Sequence, residues 1–281
     1  MPGIDRRGYG RRVDIAGAVC VITGGGNGIG AALARRFAAE GAAGVVIADI
    51  DGAGAAAVAA TLVDGCGVAV PLDVTDEDAH RRAVAEATAA FGPVDLYVSN
   101  AGAGTAMGIE ATDQDWDRVW RVNVLAHVYA ARAVLPSMLE RGRGWLLNVA
   151  SAAGLLVNLG DAPYTATKHA AVGFAEWLAV TYGDRGIGVS CLCPMGVDTD
   201  LLRDAGAAGL PGAVVRASGR VLAPETVADA VVEALRAEHF LILPHPEVAD
   251  YERARAADRD RWLTGMRHLQ ARLGGPAPVA S

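Results

Sequence analysis

Apolar residues along this chain fall into short unbroken runs, separated by longer stretches in which they recur every three or four positions. The runs cover 18–23, 45–49, 68–72, 95–99, 144–150, 188–193 and 240–243. They are near-continuous Val, Ile, Leu and Ala, without the alternation of a strand that has one wet face, so they read as strands covered on both sides. The periodic stretches predict helices over 29–40, 76–91, 113–141, 162–184 and 225–236. Thr75, followed by Asp76, Glu77 and Asp78, predicts the cap of the second helix, because an oxygen acceptor and an acidic first turn suit free N–H groups. Strand alternating with helix predicts βαβ units and right-handed crossovers. The expected class is α/β, a single doubly wound parallel sheet of about seven strands with helices on both faces.

The divisions follow from the same pattern. Residues 18–243 are expected to form one domain behind a flexible arm at 1–17. Within it, 198–222 is Gly/Ala-rich and long, the profile of a substrate lid. Residues 244–281 add a helical extension over 247–273, dense in charge of both signs, and a tail.

Composition narrows the classes. The chain has 281 residues, 52% hydrophobic and 20% charged, which excludes a disordered protein. Gly numbers 35 with no G-X-Y period, so the excess serves turns and close backbone approaches. The formal charge of −7 argues against a nucleic-acid partner. Cys20, Cys66, Cys191 and Cys193 lack metal or redox spacing; three lie in apolar runs, so buried free thiols in a reducing compartment are expected, and no metal. Arg6-Arg7 and Arg11-Arg12 suggest a twin-arginine leader, but the following apolar run is interrupted by TGGGNGIG. No uninterrupted apolar run approaches ~18 residues, so no membrane span is expected and a cytoplasmic location fits. The histidines, His127, His169, His239 and His245 among them, show no ligand spacing.

The segment Thr23-Gly24-Gly25-Gly26-Asn27-Gly28-Ile29-Gly30 follows the first strand and opens the first helix. That is the context of a dinucleotide turn in a Rossmann-like sheet. Glycines let the backbone approach a pyrophosphate, and the helix N-terminus offers free N–H groups. Asp49 ends the second strand, 25 residues past Gly24. A carboxylate there accepts from ribose hydroxyls and repels a 2′-phosphate, and no basic residue stands at 27 or directly after 49. NAD is therefore favoured over NADP. Asp51 is a second acid in reach of that role, or a turn acid.

With these motifs the chain resembles the short-chain dehydrogenase/reductase family from about residue 18 to 243. TGGGNGIG is similar to the family's cofactor turn and Leu72-Asp73-Val74 to its adenine contact. Ser99-Asn100-Ala101-Gly102 resembles its NNAG segment, with Ser in first place. Asn123 resembles the helix asparagine, Ser151 the serine, and Tyr164-Thr165-Ala166-Thr167-Lys168 the YxxxK motif. Pro194-Met195-Gly196-Val197-Asp198-Thr199 resembles PGxVxT, the segment that meets the nicotinamide, but Met195 replaces the usual Gly. Met195 would be strained at positive φ; otherwise its flexible thioether lines the mouth of the site. The resemblance implies Gly24, Asn27, Gly28, Ile29, Gly30, Asp49, Asp73, Val74, Asn100, Ala101, Gly102, Tyr164, Lys168, Val197 and Thr199 as cofactor residues. It also implies that Lys168 bonds the nicotinamide ribose and that Asn123 anchors a water relaying protons to Lys168.

The chemistry also follows from residue types. Tyr164 and Lys168, four apart, share one helix face. A phenol near pKa 10 is a poor base at neutral pH, and a nearby ammonium plus the positive ring of an oxidised cofactor favour phenolate. Tyr164 then takes the alcohol proton as hydride leaves. Ser151 holds the substrate oxygen; no Gly-x-Ser-x-Gly surrounds it, so acyl transfer is disfavoured.

Ser151, Leu155, Tyr164, Met195, Leu201 and Leu202 are the expected substrate-pocket residues, with further walls from 103–109, 155–159 and the lid, including Met107 and Leu210. Arg203, Arg216 and Arg220 are the polar exceptions. A small hydrophobic secondary alcohol or its ketone is the expected substrate. A homo-tetramer, or a dimer, is expected through 113–141 and 162–184. The competing readings are an NADPH-dependent ketoreductase of 3-oxoacyl-thioester type and a non-catalytic nucleotide sensor. Asp49 weighs against the first, and the intact Ser–Tyr–Lys set against the second.

Overall fold

The computed structural model describes residues 13–206 and 220–274. Among them the strands are β1 Val19–Thr23, β2 Gly44–Asp49, β3 Gly67–Pro71, β4 Leu96–Ser99, β5 Gly144–Val149, β6 Ile187–Leu192 and β7 Leu241–Ile242. They form one sheet in the order 3-2-1-4-5-6-7, and every neighbouring pair is parallel. The helices are α1 Gly28–Ala39, α2 Gly52–Ala60, α3 Glu77–Phe91, α4 Asp113–Trp120, α5 Ala126–Arg141, α6 Ala162–Tyr182, α7 Asp200–Gly206, α8 Pro224–Arg236, α9 Glu247–Ala257 and α10 Arg259–Arg272.

The unbroken apolar strands follow from the two-sided cover. Cys20 and Ile22 of β1 join a core with α1, α2 and α8; Val19 and Val21 join the opposite core with α3, α5 and α6. Each fully buried Val, Leu or Ile contributes about 1.5–3 kcal/mol. Cys20, Cys191 and Cys193 are buried free thiols, and burial pushes the Cys20 thiol up. Sheet growth reverses between β3 and β4. The C-terminal ends of β1 and β4 therefore part into a crevice, where ligands of open α/β sheets bind.

The structure departs from the sequence pattern in definite places. Val13 and Ile15 are buried in the first core and Gly17 N–H bonds Gly41 O, so 13–17 is docked chain and not a free arm. The short helix α2 was not predicted: Gly52, Gly54 and its alanines give no apolar stripe, and the Asp51 carboxylate caps it through Ala53 N–H. Asp51 is thus a cap. Helix α3 starts one residue later than expected, capped by Asp76 and not Thr75. The helix expected over 113–141 is continuous and contains one π segment at Arg121–Leu125. The best 18-residue window of Asp113–Arg141 has mean hydropathy 1.2, enough by length and composition to cross a membrane, but half of it is buried against the fold. The extension is two helices, α9 and α10, parted at Asp258, whose carboxylate caps α10 through Arg261 N–H.

Candidate active site

A cavity of about 670 Å³ runs along the C-terminal edge of the sheet. One end is lined by Asp49, Leu72, Asp73 and Val74, the middle by Gly24, Asn27, Gly28, Ile29 and Asn100–Gly102, and the far side by Val197 and Thr199.

Local hydrogen bonds shape this half. The Asp49 carboxylate accepts Gly26 N–H at 2.8 Å and Asp51 N–H at 2.9 Å, which pins the glycine turn over the end of β2. A carboxylate offers about four acceptor sites, so two bonds leave room for ribose hydroxyls. Asn100 donates to Thr23 O and Gly24 O, and so clamps β4 to the turn. Gly28 has φ +50°, and a Cβ there would sit 2.9 Å from Thr199 Cγ2. Gly30 does not line the cavity; a Cβ on it would lie 2.1 Å from Gly24 O, so its place is to bring α1 against the turn. A bare backbone turn, a helix N-terminus and a carboxylate at the far end fit a dinucleotide. A side chain at Gly28 would intrude on that cradle.

Ser151, Tyr164 and Lys168 line the same cavity, brought together by β5 and α6. Ser151 ends the β5 edge, its Oγ accepting Ala153 N–H at 3.1 Å and lying 3.4 Å from Pro194 O. The Ser151 hydroxyl lowers the pKa of the Tyr164 phenol. Lys168 Nζ lies 5.5 Å from the centre of the Tyr164 ring and donates to Val149 O at 3.1 Å. Burial brings the Lys168 ammonium down to about 8. Burial pushes Tyr164 up to about 12; the Ser151 hydroxyl works against that rise, and the Asp161 charge adds to it. The expected shift towards phenolate counts on the ammonium together with the positive ring of an oxidised cofactor, and the protein by itself supplies only the first. Desolvation wins, and without further positive charge the phenol keeps its proton.

Asn123 sits in the π-turn with its side chain fully engaged. Its Oδ1 accepts Ala103 N–H at 2.9 Å; its Nδ2 donates to Ala103 O at 2.8 Å and to Thr167 Oγ1 at 3.0 Å. The amide ties loop, π-turn and α6 together and does not line the cavity.

The remaining end is apolar. Met195, Leu201 and Leu202 line it as expected, and Met195 is not at positive φ, so it carries no backbone strain. Leu155 does not line it. It is buried in the core under α6, and Leu156 and Val157 face the cavity instead. Arg203 is exposed and paired with Asp198 and Asp200. Leu210 and Arg216 lie outside the described residues. Sequence reasoning missed Tyr251, Trp262, Met266 and Leu269, which bring α9 and α10 over the cavity. The spacing of 262, 266 and 269 on one helix face was the available signal. It also missed Asp161, the buried cap of α6, readable from the Asp-Ala-Pro start. Its carboxylate takes Tyr164 N–H, Thr105 N–H, Thr105 Oγ1 and Ala106 N–H, and holds Ala106 at φ +54°.

The sequence profile described as short chain dehydrogenase matches residues 18–208. The chain belongs to the short-chain dehydrogenase/reductase family. It is 36% identical over 264 residues to 1-deoxy-11-beta-hydroxypentalenate dehydrogenase of Streptomyces exfoliatus, covering 92% of this chain and 91% of that one. A short-chain dehydrogenase/reductase of Burkholderia phymatum, solved in complex with NAD, superposes with a TM-score of 0.78 at 29% identity, covering 96% of this chain and 100% of that one. A 3-ketoacyl-(acyl-carrier-protein) reductase of Brucella melitensis, complexed with NADH, gives 0.74 at 33% identity over 82% and 96%. As a family member the chain is an oxidoreductase acting on alcohols or ketones with a nicotinamide cofactor. The matched span ends before α8, so Tyr251, Trp262, Met266 and Leu269 lie beyond it.

Proposed function

We propose that this dehydrogenase exchanges hydride between NAD(H) and a bulky, hydrophobic secondary alcohol or ketone, with Tyr164 as acid and base. The observation that carries it is one cavity with a carboxylate at one end, Ser151, Tyr164 and Lys168 in the middle, and an apolar wall at the other end.

A bound nicotinamide supplies the hydride acceptor or donor and, when oxidised, a positive charge near the phenol. Tyr164 Oη takes the hydroxyl proton of an alcohol, or gives one to a carbonyl oxygen. Ser151 Oγ donates to that same oxygen and favours the charge it gathers in the transition state. Lys168 holds the nicotinamide ribose and supplies positive charge under the phenol ring. With the phenol near 12 in the free protein, the oxidation rate rises with pH as the base form grows, and reduction is favoured at lower pH. Val197 and Thr199, which line the cavity, would meet the middle of the bound cofactor, and Asp49 would meet its adenosine ribose.

The size of the substrate is read from α10. None of its residues is buried, yet Trp262, Met266 and Leu269 face the cavity. An apolar stripe left half-exposed over a reaction site gains burial when a large apolar ligand fills the space below it.

The test is a titration with NADH and NADPH, beside Asp49→Ala. Tight NADH and weak NADPH binding, with the preference narrowed in the variant, is the expected result. Equal binding, or NADPH preference in the unaltered protein, moves the thioester ketoreductase reading to first place.

A further inference from the structure

We infer that His245 is a positioning residue for the reacting centre, acting through the backbone of Met195. This rests on the hydride-transfer reading above. His245 follows β7, is 2% exposed, and its ring lies between two distant segments. Nδ1 faces Met195 N–H at 3.2 Å, and Nε2 faces Arg220 O at 3.1 Å. A backbone N–H can only donate and a carbonyl can only accept. Nδ1 is therefore the acceptor for Met195 N–H and Nε2 the donor to Arg220 O, and each nitrogen meets its complement.

The bond to Met195 matters because of what that turn touches. Pro194 O accepts Ala152 N–H at 2.8 Å and lies 3.4 Å from Ser151 Oγ. On the other side of Met195, Gly196 O accepts Leu222 N–H at 2.9 Å, and Leu222 O accepts Asp198 N–H at 2.9 Å. Met195 itself lines the cavity. His245 O also accepts Val248 N–H at 3.1 Å, which starts α9. One imidazole thus fixes the turn carrying Met195 relative to Ser151, to the 220–222 stretch and to the helices that cover the cavity. The backbone N–H of Met195 is held by a ring from the C-terminal region.

Two substitutions separate the two bonds. In His245→Asn, Oδ1 takes the place of Nδ1 and keeps an acceptor for Met195 N–H. In His245→Gln, the longer amide reaches the place of Nε2 and keeps a donor for Arg220 O, but leaves Met195 N–H without an acceptor. Pro194 has no N–H, so amide hydrogen exchange across 194–195 reports Met195 alone.

The expected result is that Met195 exchange accelerates about 10-fold or more in His245→Gln and stays within about threefold in His245→Asn. With an alcohol that the unaltered enzyme oxidises, kcat falls about 10- to 100-fold in His245→Gln while the KM for NAD holds within about threefold; His245→Asn recovers kcat. Unchanged exchange in both variants, or equal losses in both, overturns the inference. If the unaltered enzyme oxidises none of a set of hydrophobic secondary alcohols with NAD, the hydride-transfer reading is what fails, and the exchange comparison still decides for or against the Met195 contact.

Discussion

Burial pulls Lys168 and Tyr164 in opposite directions, and at both residues it disfavours the charged form. The Lys168 ammonium ordinarily releases its proton near 10.5 and here does so at about 8. Below pH 8 folded and unfolded chains both hold the proton, and the folded one carries the full desolvation cost. Between 8 and 10.5 the folded chain has released it and the unfolded chain has not, so stability rises with pH through that window. At 1.36 kcal/mol per unit the cost is about 3 kcal/mol. Lys168→Met is therefore expected to unfold at a higher guanidinium concentration than the unaltered protein at pH 6, while losing turnover. A variant no more stable at pH 6 would show that Lys168 carries no such cost. Tyr164→Phe keeps the ring and removes the proton donor. Its turnover is expected to fall about 10²- to 10⁴-fold, far more than its NADH affinity measured by titration. Retained turnover would reassign the acid–base group.

At the scale of elements, the turn after β1 and the start of α6 were legible because their chemistry is local. A glycine run between a strand and a helix has few conformations open to it, and a spacing of four on a helix is one turn wherever the helix sits. Helix α2 was not legible, since Gly and Ala carry no periodic signal and its cap, Asp51, read equally as a second ribose acid or a turn acid. The π-turn at Arg121–Leu125 was hidden for another reason. Its Asn123 bonds Ala103 and Thr167, which are distant in sequence. Helix α10 gives the sharpest expectation at this scale. Trp262→Ala should lower kcat/KM for a large-ring secondary alcohol about 10- to 200-fold and change that for a short one less than about threefold. Parallel loss on both would mean that α10 supports the fold and does not shape the pocket.

At the scale of the whole molecule, α6 presents Trp177, 53% exposed, and Val180, 85% exposed, away from the sheet. Trp177 stacks on Phe174 and meets Tyr182 edge-on, so the face is a formed aromatic patch. A face of this kind is expected to pair with another copy, giving a tetramer or a dimer by light scattering at micromolar concentration. Val180→Glu should reduce the assembled fraction by placing a charge in the contact. A monomer in the unaltered protein would leave α6 without that role.

The sequence by itself determined the alternation of strand and helix, the parallel sheet, the glycine turn and the shared face of Tyr164 and Lys168. Each of these depends on neighbours within a few residues, where backbone sterics and helical periodicity leave little choice. Only the tertiary structure decided that Leu156 and not Leu155 faces the cavity, that the phenol is held protonated, that α10 roofs the apolar end and that His245 holds Met195. These depend on how segments far apart in the chain exclude water from one another. Desolvation and close packing are properties of the assembled interior, which no local pattern contains.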